Sequence, residues 1–199
     1  MVMRNQQDVQ SLLQPLHASL TRVVMGAWDD WRKVAPQIGR RFARTPANVI
    51  YERMIARAIP EFESLPGMHI ANGRQTVHFV YQDAVRFRFK KGDENGLSRN
   101  YPTQTALAFN DQNCDLFGAP SISRIDIVYQ LDGLATRVTD VAVVARHESN
   151  VLWSYSIIAA ESQPAEVVAF TPKVSSPVES LVRPKVQVPE QEKTEGERS

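Results

Sequence analysis

With 199 residues, 43% of them hydrophobic and 23% charged, the chain has the make-up of one ordinary globular domain plus an appendage, which excludes a collagen-like or wholly low-complexity polymer. Its apolar runs, such as Val141–Ala145, are too short to cross a bilayer, and the N-terminus lacks a basic-then-apolar leader pattern, so a cytoplasmic protein is expected. The net charge of +1 hides an asymmetry: residues 31–60 hold seven basic residues against one acid, Glu52.

In chain order, the first predicted element is an amphipathic helix over Asp8–Met25. Val9, Leu12, Leu13, Leu16, Leu20, Val23 and Val24 fall on one stripe, and Pro15 predicts a kink inside it. A second helical segment, Trp28 to Phe42, is expected to be broken by Pro36 and Gly39. A third starts at Thr45, whose hydroxyl suits an N-cap, with Pro46 at the first helical position and an end near Pro60.

From Met68 the period changes to two. Val77–Tyr81 and Val85–Lys90 read as strands joined through Gln82-Asp83. In the second, Val85, Phe87 and Phe89 alternate with Arg86, Arg88 and Lys90, which predicts a basic outer face. Lys91–Gly96 reads as a loop, and a short helix is expected from Pro102 to Phe109. Ile122–Leu131 and Ala135–Arg146 read as strands joined by a tight Asp132-Gly133 hairpin, and Val151–Ile158 as a further strand.

Helices followed by strands give an α+β class: N-terminal helices, then a mainly antiparallel, meander-type β-sheet. Residues 1–66 form the helical part, residues 67–162 the sheet part of the same domain, and residues 163–199 a tail. Pro172, Pro177, Pro184 and Pro189 remove backbone donors from that tail, so it is expected to be disordered until bound. Val174, Val178, Val182 and Val186 recur at intervals of four within it, a spacing that suits docking on a partner; the alternative is a solvated end.

The motifs that would specify a reaction are missing. The four histidines, His17, His69, His78 and His147, are scattered and no HExxH is present, so no metal site is expected. The single cysteine, Cys114, excludes an internal disulfide or Cys-rich zinc site, and Asp115 beside it disfavours a thiolate. No acid is followed two positions later by lysine, and neither a G-x-S-x-G elbow nor a GxxxxGK[ST] phosphate loop occurs. No cofactor is implied.

Two polar groupings remain. One is the loop containing Asp93, Glu94, Asn95, Arg99, Asn100, Thr103 and Gln104, whose carboxylates and arginine suit acid–base chemistry or simply a capped surface loop. The other is the basic set Arg40, Arg41 and Arg44 with Arg86, Arg88 and Lys90, which suits phosphates or an acidic partner if folding gathers it on one surface. The stretches Arg86-Phe-Arg-Phe-Lys-Lys and Asn100-Tyr-Pro-Thr-Gln-Thr-Ala-Leu-Ala-Phe109 resemble small uncharacterised bacterial proteins from toxin–antitoxin or phage-defence neighbourhoods. That resemblance covers only residues 86–109, implies a regulatory or antitoxin-like role and assigns no residue a function.

The expected function is therefore non-enzymatic: a protein-binding or regulatory protein whose partner is another protein, such as a toxin or defence effector. Nucleic-acid binding through the basic helices and strand is the alternative, and an enzyme centred on the 93–104 loop the second. Pairing of strands or helices between chains would give a homodimer.

Overall fold

A computed structural model describes residues 4–39, 42–73, 76–93, 109–111, 122–147 and 150–158. All of them belong to one unit, Met1–Glu161. Helix α1 (Gln6–Leu13) passes through a 3-10 turn (Gln14–Leu16) into α2 (His17–Ile38), and α3 (Arg44–Phe62) follows. Six strands complete the described fold: β1 (Met68–Asn72), β2 (Val77–Tyr81), β3 (Val85–Lys91), β4 (Ser123–Leu131), β5 (Val138–His147) and β6 (Asn150–Ser156).

Local chemistry explains most boundaries. Asn5 caps α1, its side-chain oxygen accepting from the Asp8 N–H at 2.8 Å. Pro15 falls in the 3-10 turn, where the helical ladder is interrupted as its missing donor requires. The first two predicted helical segments are joined, since α2 runs on through Trp28 and Trp31. Pro36 lies only in its last turns, and Gly39 ends it at φ 75° while its N–H donates to the Ala35 carbonyl at 2.9 Å. Helix α3 begins one residue before Thr45: Ala43 is the N-cap, and the Thr45 N–H donates to the Phe42 carbonyl. Pro46 still falls in the first turn, where no donor is missed, and Pro60 is carried inside the last turn rather than ending the helix.

Helices α2 and α3 are joined laterally by a two-bond Arg57–Asp30 pair at 2.9 Å and by Arg22–Glu61 at 2.6 Å. Gly26 makes room for the first, since a Cβ there would stand 2.7 Å from Arg57 Nη1.

The sheet order is β1-β2-β3-β4-β5-β6, antiparallel throughout except for β3 and β4, which run parallel. The expectation of a meander therefore holds on both sides of that pair and fails within it. A parallel pair needs a crossover instead of a hairpin, and the 31 residues from Gly92 to Ile122 separate the two strands. The tight hairpin is also misplaced. Positive φ falls on Ala135 (50°), and Asp132 instead closes a wider turn by accepting from the Arg137 N–H at 3.1 Å. The two-residue turn lies earlier, at Gln82 and Asp83 with φ 52° and 49°.

One sheet face packs on the helices. Phe79, Phe87, Phe89, Ile125, Ile127, Val141 and Val143 meet Leu20, Val24, Trp28, Ile50, Met54 and Phe62 in one core. Phe62 stands edge-on to Phe79 and Phe87, which stack on each other at 5.2 Å. Among the described residues no helix is long and apolar enough to cross a membrane.

Candidate functional site

A cleft of about 810 Å³ opens where the carboxyl ends of the parallel strands β3 and β4 meet the first turns of α3. Its size suits a small ligand or an inserted peptide segment. Helix α3 contributes Arg44, Ala47, Asn48, Tyr51 and Met54, residues that helical spacing places on one side. Strand β3 supplies Phe89 to Lys91 and runs on into Gly92 and Asp93. Strand β4 supplies Tyr129 and Leu131, and the β4–β5 turn closes the lining with Asp132, Gly133 and Ala135.

Polar groups in the lining are held in place. The Tyr51 hydroxyl accepts from the Val77 N–H at 3.0 Å, and burial holds its phenol proton more tightly than usual. Gly92 N–H donates to the Tyr129 carbonyl at 2.9 Å, tying the end of β3 to β4. Asp132 accepts from the Thr136 hydroxyl and from two backbone N–H groups, which lowers its carboxyl below the ordinary range. Tyr129 is only 1% exposed, and its hydroxyl has no hydrogen-bond partner among the described residues.

Two large apolar side chains flank this lining in the open. Phe42, 54% exposed, immediately precedes the lining residue Ala43, and Leu134, 79% exposed, lies between the lining residues Gly133 and Ala135. Arg44 extends its guanidinium over the Phe42 ring at 5.3 Å.

The opposite sheet face is charged and largely covered. Register sets Arg88 beside Asp126, and their side chains meet at 2.7 Å with exposures of 3% and 2%. Arg88 also donates to Asn110 at 3.3 Å and lies 3.8 Å from the Phe109 ring centroid, while His78 stacks on that ring. Arg86 lies beside Arg124, which donates to the Asp111 carbonyl. Burial first, and then the positive charge of Arg124, lowers the Arg86 pKa. Burial, and then Arg88, pulls His78 down to about 4 and Lys90 down to about 8.

The structure thus separates residues that the sequence grouped. Arg44, Lys90 and Asp93 belong to the cleft lining, while alternation along β3 keeps the Arg86, Arg88 and Lys90 side chains together on the sheet face opposite the helices. The basic outer face is corrected at Arg88: β3 is central, not an edge, and the guanidinium is spent on Asp126. Arg40, Arg41, Asn95, Arg99, Asn100, Gln104, Val174, Val178, Val182 and Val186 lie outside the described residues.

Sequence reasoning missed Tyr51, Tyr129, Leu134 and the Arg88–Asp126 pair. A leucine after Asp-Gly in a turn, and a lone acid within the apolar run Ile125-Asp-Ile-Val-Tyr129, were the available signals. Among the described residues no group of three His, Cys, Asp or Glu side chains is placed to hold a metal ion. Compared with protein-family models, curated proteins and solved structures, the chain matches none of them.

Proposed function

We propose that this chain is a regulatory, antitoxin-like binding protein of the cytosol that holds a segment of another protein in the α3–β3–β4 cleft. The observation that carries the reading is the pair Phe42 and Leu134, exposed beside the cleft lining. Large apolar side chains around a concave site are what a protein partner covers, because their burial supplies the association energy while polar neighbours set the register. Arg44 gives the same region a cation for an acidic group on the partner. The tail, Gln163–Ser199, is proposed to add a second contact through its spaced valines. Nucleic-acid binding has less support, since Arg88 is engaged with Asp126 and buried.

Affinity capture with the full chain as bait, followed by reconstitution from the two purified proteins, tests the reading. A stoichiometric complex that is weakened by Phe42→Asp is expected. If no captured protein binds once purified, or the chain is instead retained on DNA or RNA in a strongly salt-dependent way, the reading is overturned.

A further inference from the structure

Lys90 differs from Arg88 and Arg124, the engaged cations of the same sheet region. Arg88 has Asp126, Asn110 and the Phe109 ring; Arg124 has the Asp111 carbonyl. Lys90 has no hydrogen bond or ion pair among the described residues, and the carboxylate nearest in register, Asp126, is already engaged by Arg88. The residue sits next to the end of β3, in the cleft lining, and is half-buried rather than sealed from reagents. Alternation along β3 puts its side chain on the face of Arg86 and Arg88, with buried Val128 as its register partner on β4.

We infer that Lys90 is a reactive amine, the site at which this chain is acylated by activated acyl donors such as acyl phosphates. An ammonium beside a fixed guanidinium, against apolar surface and without a carboxylate of its own, is driven toward the neutral amine. The facing ionisable groups are Arg88, which favours the neutral form, and Asp126, which opposes it; His78 lies across Arg88 on β2. The resulting pKa of about 8 leaves a usable fraction of free amine near neutral pH. In the reaction the Nζ lone pair attacks the acyl carbon, a C–N bond forms, the C–O bond to phosphate breaks, and phosphate leaves while the nitrogen gives its proton to water. The product is a neutral amide, so one positive charge is removed from the face shared with Arg86 and Arg88.

The test uses the purified full-length chain and acetyl phosphate as the probe, with acetylation of each lysine followed by peptide mass spectrometry across a pH series. Lys33, exposed on α2, is the reference amine. Near pH 8, Lys90 is expected to react about tenfold faster than Lys33, because the gain in free amine outweighs the lower intrinsic nucleophilicity of a weaker base. Its rate should level off above pH about 8, and unfolding in urea should make the two lysines equal. A Lys90 rate no greater than that of Lys33, or a ratio that survives in urea, overturns the inference.

Discussion

The two faces of the sheet solve the same burial problem in opposite ways. The face toward α2 and α3 is apolar, with Phe79 and Phe87 stacked on each other and both edge-on to Phe62 and Phe89. The other face buries a charge pair, Arg88 with Asp126, under Phe109. An apolar face tolerates loss of contacts in proportion to the volume removed. A charged one stands or falls with pairing, because a lone buried ion keeps its full desolvation cost.

The largest effect is expected at Asp126. Asp126→Ala strands the Arg88 guanidinium and is expected to cost about 3–5 kcal/mol in urea denaturation. Replacing both partners by apolar residues, Arg88→Met with Asp126→Leu, should cost far less than the single change. If the double variant is as unstable as the single one, the penalty does not arise from an unpaired charge. On the apolar face Phe87→Ala should cost a similar 3–5 kcal/mol, about the usual loss for an aromatic removed from a core, with no such rescue available.

An intermediate effect is expected with pH. His78 is held near 4 in the folded chain against 6.5 when unfolded, so the unfolded chain binds the proton more readily. Its contribution to stability is therefore complete above pH 6.5 and is lost progressively as pH falls toward about 4. His17, also lowered by burial, contributes in the same direction. His78→Gln should flatten that part of the stability profile measured by chemical denaturation; an unchanged slope would mean that the His78 proton is not coupled to folding.

A smaller effect, of opposite sign, is expected at Tyr129. Its buried hydroxyl lacks a hydrogen-bond partner among the described residues, so Tyr129→Phe should raise the melting stability by about 1 kcal/mol. A loss would show that the hydroxyl has a partner after all.

How much of this was legible in the sequence depends on which physics set each feature. Period and alternation identified the helix stripes and the inward set Val85, Phe87 and Phe89, because both are local geometry. The parallel pairing of β3 with β4 was not legible, since it is decided by where a long connection returns the chain, not by the strands themselves. Alternation correctly put Arg86, Arg88 and Lys90 on one face. It could not show that the face is covered, which follows from β3 being central and from Asp126 arriving in register. The cleft was caught only at Arg44, Lys90 and Asp93, because Tyr51 and Tyr129 look like core residues until α3 and the strand ends are brought together.

The central claim is that a partner protein is held at the cleft through its exposed apolar flank. It is tested most directly by titrating the purified partner against the wild-type chain and Leu134→Asp. Leu134 is an exposed turn residue, so the variant should keep its melting stability within about 0.5 kcal/mol. Binding weaker by about tenfold or more is expected, because the variant puts an unpaired carboxylate where an apolar side chain would be covered by the partner. Equal affinity for the two proteins would contradict it.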